Sequence, residues 1–160
     1  LEVKGNGARV ALGMIDVHEV ENHGNYCFLN TGSPHYVEYV DDVKAIDVPR
    51  RGAEIRWSEP FASRGGTNVN FVQRIAKDHI RIRTFERGVE DETLACGTGA
   101  TASALATAYL DGIPAHHYQV DVEGGSLSVA FETNDKGGFC HVILTGPAQK
   151  VFEGDIELDF

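Results

Sequence analysis

Apolar and polar positions alternate along most of the chain, with β-branched and aromatic residues on the apolar beat. The pattern predicts strands over 8–17, 25–29, 35–40, 67–75 and 79–85, and again over 118–122, 127–132, 139–144 and 148–152. Gly124-Gly125 and Gly137-Gly138 fall between late strands and read as hairpin turns. Two stretches break the alternation. Residues 42–57 carry Val43, Ile46 and Ile55 among charged residues, an amphipathic helix outside the sheet that Pro49 and Gly52 weaken and can split. Residues 99–110 are almost all small or apolar and are closed by Asp111-Gly112 and Pro114. A helix apolar on every side belongs inside a fold. The expected class is therefore α+β, a curled, barrel-like, mixed or antiparallel sheet around a central helix.

No Pro/Ser linker, low-complexity segment or internal repeat divides the 160 residues, and 42% hydrophobic content is enough for one core, so a single domain over 1–160 is expected. Twenty-four acidic against 14 basic residues give a formal charge of -10. A polyanion would be repelled, which argues against nucleic acid and anionic membranes as partners. No signal-peptide pattern is present, and the longest uncharged run, 93–110, is diluted by Gly, Thr and Ser, so a soluble, cytoplasmic chain is expected. The chain opens at Leu1, without an initiating methionine, on the approach to a strand, and reads as a fragment.

Cys27, Cys96 and Cys140 are an odd number and predict reduced thiols. They lack metal-ligand spacing, and adjacent His116-His117 is poor geometry for a shared ion, so no metal is expected. Cys27 and Cys140 sit in strand patterns and read as core. Cys96 differs. The run Arg83-Thr84-Phe85-Glu86-Arg87-Gly88-Val89 ends a strand in a charged pair, and Glu92-Thr93-Leu94-Ala95-Cys96-Gly97-Thr98-Gly99-Ala100 opens the buried helix with a cysteine at its mouth. Unpaired N–H groups and the positive end of the helix dipole bind a carboxylate and favour a thiolate there. Gly97 and Gly99 let a ligand approach the backbone, whereas the bland alternative makes Cys96 a small buried hydrophobe.

Glu86-Arg87-Gly88 followed by Ala95-Cys96-Gly97-Thr98-Gly99-Ala100 resembles the second signature of the diaminopimelate epimerases. Asn30-Thr31-Gly32-Ser33-Pro34-His35 and Gly66-Thr67-Asn68-Val69-Asn70-Phe71 agree with that family in order and spacing. The resemblance covers residues 30–100, and the strand-rich remainder fits the family's C-terminal domain. It implies an isomerase that interconverts LL- and meso-diaminopimelate without pyridoxal phosphate or metal, in lysine and peptidoglycan-precursor synthesis. Two similar domains each give one cysteine, one removing the α-proton while the other protonates the opposite face.

By that resemblance Cys96 is the C-terminal member of the pair and acts as base, with roles exchanged in reverse. The amides of Gly97 and Thr98 hold the reacting carboxylate, and the Thr98 hydroxyl adds a contact. Arg87 grips the distant carboxylate with two prongs, Asn68 contacts the distant carboxylate or ammonium, and Glu86 and His35 tune the thiols. Ser33 stands where many members have a substrate-binding Asn and reaches less far. Phe152 stands where bacterial relatives often carry a dimer-interface tyrosine. The first signature, a Cys followed by Gly-Asn-Gly, belongs to an N-terminal domain absent from this sequence. Lys4-Gly5-Asn6-Gly7-Ala8-Arg9 has lysine in place of that cysteine and reads as a turn. The chain is thus expected to hold half an active site and to be inactive alone, its partners being diaminopimelate, the missing domain and a second copy.

Rival readings remain open at this level. Another isomerase of the same two-domain kind, such as a proline racemase or phenazine-pathway relative, would have no use for Arg87 and Asn68 as grips on a second amino-acid end. A thiol redox or anion-binding module would pair Cys96 with Cys140 as resolving cysteine. In a purely structural domain Asn68 and Asn70 are turn formers, Glu86 and Arg87 a surface pair and His35 a satisfied strand histidine. His18, His23, His79 and His141 have no motif support.

Overall fold

The computed structural model describes residues 2–3, 9–113, 116–149 and 151–157. Pro114 and the turn read into residues 4–9, apart from Arg9, lie outside them. In chain order the strands are β1 (Glu2–Val3), β2 (Arg9–Gly13), β3 (Glu21–Asn22), β4 (Cys27–Asn30), β5 (Pro34–Tyr39), β6 (Asn68–Ala76), β7 (His79–Glu86), β8 (Asp91–Thr93), β9 (His117–Val122), β10 (Gly125–Thr133) and β11 (Phe139–Pro147). The α-helices are α1 (Val48–Arg56) and α2 (Gly97–Leu110), and short 3-10 turns span Val43–Ala45 and Ala62–Arg64.

Among the described residues one sheet runs β1-β2-β11-β10-β9-β7-β6-β5-β4-β3, with β8 paired to β7. Its pairs are antiparallel except β5 with β6 and β7 with β9. The sheet curls but stays open, since its end strands β1 and β3 do not pair with each other. β4 to β7 and β9 to β11 pack on α2, whose residues Gly99 to Ala108 are all buried. The segment between β2 and β3 crosses the opening: Val17 bonds Phe139 in both directions (2.9 and 2.7 Å), and Val17 and Val20 join the core around α2. The curled mixed sheet around a helix that the residue pattern implies is therefore what forms. From Gly99 to Ala108 α2 needs no polar face because no side of that stretch meets water.

Strand parity then sorts the centre of the sheet. On β5, β6 and β7, Val37, Val72, Ile80 and Ile82 face α2, while Tyr36, Val69, Phe71 and Phe85 enter a second cluster with Val43, Val48 and Phe61 under α1. Both faces of these strands are therefore covered where α1 and α2 lie on them. α1 begins at Asp47, whose carboxylate accepts from the Arg50 N–H at 3.3 Å, with Pro49 in the first turn. The expected helix over 42–57 is split, as Pro49 allows, into a 3-10 turn and α1. Gly52 is no defect there: a Cβ at that position would collide with the Phe85 ring, so its absence lets α1 lie on β7.

Three differences from the residue pattern have physical reasons. The described residues of the expected strand 148–152, namely 148, 149, 151 and 152, form no strand; Val151 and Phe152 are exposed and pair with no strand among the described residues. β3 and β8 were not anticipated, being two and three residues long, too short to show alternation. Cys140 is not core, because its end of β11 carries an irregular register opposite Glu132 that leaves it half-buried. Cys27, by contrast, is fully enclosed at 1% exposure. Among the described residues no helix is long and apolar enough to cross a membrane.

Candidate active site

The parity that sends Val37 and Val72 toward α2 sends their polar neighbours to its N-terminus. His35 on β5 is in register with Asn68 on β6, and Asn70 with Thr84 on β7. Asn68, Asn70, Thr84 and His35 are each at most 3% exposed, a polar patch that the core must satisfy internally. Glu86 lies on the same face of β7, half-buried, and accepts from the Thr93 hydroxyl at 2.9 Å.

Cys96 is the N-cap of α2 and is 6% exposed. Its thiol is a weak acceptor and makes no full capping hydrogen bond, where a Ser, Thr, Asn or Asp side chain would stabilise the helix by about 1 kcal/mol. The backbone N–H groups of Thr98 and Gly99, the second and third helix positions, nevertheless face Sγ, and the Thr98 hydroxyl lies 3.5 Å from it. The same hydroxyl is 3.4 Å from Ser33 Oγ, and Ser33 Oγ is 3.0 Å from His35 Nε2. The Thr31 hydroxyl donates to the Thr98 carbonyl at 2.9 Å and ties the Ser33 loop to the helix mouth. Cys96, Thr98, Ser33, His35 and Glu86 are thus one constellation.

Asn68 takes a supporting place. Its Nδ2 donates to Ser33 Oγ (3.2 Å) and the Pro34 carbonyl (2.9 Å), and its Oδ1 accepts from the Arg87 N–H at 2.8 Å. Both ends of the amide are engaged within the chain. The Arg87 side chain is exposed at the rim, close enough for its charge to act on His35. Gly97 opens α2 beside Leu144, where a Cβ would sit 2.9 Å from Cδ2.

The electrostatics correct one expectation. A cysteine at a helix mouth was expected to favour the thiolate; burial instead pushes the Cys96 thiol above its usual range, and the nearby Glu86 carboxylate adds to that. The Thr98 hydroxyl and the N–H groups of Gly99 and Thr98 oppose the rise without overcoming it. The resting group near neutral pH is the thiol, the form that delivers a proton. His35 is held neutral: burial first, then the Arg87 charge, lowers its pKa to about 3.

Two features escaped the residue pattern. Arg56 of α1, 6% exposed, bonds Glu90 through Nε and Nη2, both at 2.6 Å, and so braces the turn that presents Glu86 and Arg87. Its signal was weak, one arginine in a charged helix. Asn70 was noted only as a turn former, yet it is fully buried and bonded to His35 Nδ1 at 3.1 Å. Elsewhere, Glu132, Cys140 and His141 bring one ligand-type atom each within 4.8 Å of one another, a proximity that spacing rules missed because register created it. Cys140 and Cys96 are both free thiols. Cys140 lies beside Glu132 and His141, whereas Cys96 lies beside Thr98 at the mouth of α2.

Solved structures of racemases and epimerases share this fold. One described as a probable proline racemase from Agrobacterium radiobacter superposes with a TM-score of 0.61, covering 94% of this chain and 54% of its own at 17% identity. A hydroxyproline epimerase from Agrobacterium vitis gives 0.58, with 87% and 49% covered at 18% identity. The chain itself belongs to the diaminopimelate epimerase family, whose model matches residues 27–151. It is 45% identical over 147 residues to the diaminopimelate epimerase of Flavobacterium psychrophilum, covering 92% of this chain and 57% of the relative. Against that of Aquifex aeolicus the values are 48% over 130 residues, 79% and 44%. The chain spans about half the length of these curated relatives.

Proposed function

We propose that this chain is the C-terminal, second-cysteine half of a pyridoxal-phosphate-independent epimerase that interconverts LL- and meso-diaminopimelate. The observation that carries the reading is Cys96, set at the mouth of a buried helix with N–H groups, a hydroxyl and the Glu86 carboxylate all facing one sulfur. An amino-acid α-proton is very weakly acidic, so its removal needs a positioned group in a dry site and donors for the developing negative charge. Cys96 Sγ exchanges the proton with the α-carbon. The N–H groups of Gly97 and Thr98 hold the adjacent carboxylate, with Ser33 and the Thr98 hydroxyl at the same mouth. Glu86 and His35 set the charge around the thiol.

Arg87 is the grip for the distant carboxylate, since its side chain is free to swing over the mouth from a turn that Asn68 and Arg56 hold in place. Asn68 acts by placing Arg87 and Ser33, and the second lone pair of its Oδ1 is what it can offer the distant ammonium of the substrate. The second thiol comes from the domain that the longer relatives carry, and a chain without it has only one face of the α-carbon covered. Phe152, 84% exposed, is the contact offered to a second copy.

The test follows loss of the α-proton NMR signal of meso-diaminopimelate in deuterated water. The chain alone and Cys96→Ala should both be silent, and adding the N-terminal half of a relative should restore exchange to the wild-type chain only. Exchange by the chain alone that Cys96→Ala abolishes would overturn the half-site reading. Restored exchange that survives Cys96→Ala would remove Cys96 from the chemistry. For Phe152, sedimentation should show a dimer that Phe152→Asp dissociates, and a wild-type monomer would remove it as a contact.

A further inference from the structure

Hydrogen-bond directions around Cys96 can be worked out from one end. The Tyr36 carbonyl can only accept, and it lies 2.9 Å from Asn70 Nδ2, which fixes the orientation of that amide. The second Nδ2 hydrogen then points to His35 Nδ1 at 3.1 Å, and Oδ1 accepts from the Thr84 hydroxyl at 3.0 Å. An amide oxygen facing Nδ1 would call for a proton there; the Tyr36 carbonyl forbids that orientation. Nδ1 is therefore the bare nitrogen of a neutral ring, and the proton sits on Nε2, aimed at Ser33 Oγ.

Ser33 Oγ now receives two donors, His35 Nε2–H and Asn68 Nδ2–H. The Asn68 amide is likewise fixed, because its Nδ2 must face the Pro34 carbonyl. With both lone pairs filled, the Ser33 hydrogen goes to Thr98 Oγ1, and the Thr98 hydrogen is left for Cys96 Sγ. Glu86 is the charged group facing the sulfur, and Arg87 the one facing the imidazole.

We propose that Asn70 is a positioning residue that sets the His35 tautomer and thereby directs a one-way relay, His35 to Ser33 to Thr98, onto Cys96 Sγ. The relay rests on the reading of Cys96 as the proton-exchanging group, and it deepens that reading: each donor points to the next group toward the sulfur and the last, the Thr98 hydroxyl, points at it, so the chain stabilises the thiolate whenever the proton leaves. Asn70 does not touch substrate. Gly99 belongs to the same device, since a side chain there would displace the Asn70 amide.

Nitrogen-15 NMR of the histidine rings in the chain itself is the test, and it needs no substrate. His35 should show a protonated Nε2 and a bare Nδ1 throughout pH 5 to 8. Asn70→Asp, which places an accepting oxygen against Nδ1, should move the proton to Nδ1 or give the imidazolium. The pH midpoint of Cys96 alkylation should rise by roughly half to one unit in Thr98→Val and also in Ser33→Ala, two bonds away from the sulfur. A wild-type His35 protonated on Nδ1 would overturn the relay even if Asn70→Asp fails to fold, as would a Ser33→Ala midpoint equal to wild type. Neither result depends on epimerisation, so loss of the relay and loss of the proposed activity remain distinguishable.

Discussion

Gly99 faces the Asn70 amide oxygen so closely that a Cβ built on the glycine would fall inside its van der Waals surface, and 3.2 Å from Cys96 Sγ. The close approach of α2 to β6 at this point is what packs the cysteine against the polar patch of the sheet. Gly99→Ala should therefore destabilise by about 1–3 kcal/mol, the usual range for an added carbon in a packed interior. Urea unfolding measures it, and an unchanged midpoint would mean that the helix can lift without cost.

His35 should make the chain acid-sensitive. Its folded pKa is lowered from 6.5 to about 3, so the unfolded chain binds a proton that the folded chain refuses. The stabilisation is fully present above 6.5 and is lost as pH falls toward 3. Each unit in that window is worth up to about 1.4 kcal/mol, so roughly 2 kcal/mol should vanish between pH 7 and pH 5. Unfolding curves at those pH values for wild type and His35→Gln check it, with the variant expected to lose correspondingly less.

Thiol titration separates the contributions to Cys96. Glu86→Gln removes a negative charge that holds the thiol pKa up and should move the alkylation midpoint down. Thr98→Val removes a donor that holds it down and should move the midpoint up. Iodoacetamide rates against pH, read at Cys96 by mass spectrometry, give both signs. Midpoints unchanged in both variants would show that burial alone governs the thiol.

Arg56 joins α1 to the turn after β7. Its removal leaves Glu90 without its cation and the turn without a brace, while Glu90 retains some solvent contact at 39% side-chain exposure. Arg56→Met should cost about 2–4 kcal/mol, below the full cost of breaking a buried pair. Amide hydrogen exchange should quicken at Arg87, whose N–H is held by Asn68. A stability loss without faster exchange there would make Arg56 a packing residue unconnected to the turn.

Much of this architecture was legible along the chain. Period-two alternation marked most of the longer strands because one row of each faces α2, and the all-apolar run before Asp111 marked α2 because that helix is enclosed on every side from Gly99 to Ala108. Cys96 between Ala95 and Gly97 could be placed at a helix mouth from local composition alone. The failures were equally local in origin: the segment 148–152 alternates like a strand but its described residues find no partner strand among the described residues, and Cys140 alternates like core where register leaves it half-buried.

What the residues could not show is decided by cross-strand register and burial, which depend on elements far apart in sequence. Asn68 and Asn70 are equivalent as letters, and only the pairing of β5, β6 and β7 puts one against Ser33 and the other against His35. The direction of the Cys96 pKa shift was likewise beyond sequence, since the helix mouth argued for a thiolate and the surrounding protein, by excluding water, favours the thiol. Alternation of side chains along a strand is a property of the backbone and is written in the chain; which polar groups meet across the sheet, and how dry the meeting place is, exist only once the sheet has curled around its helix.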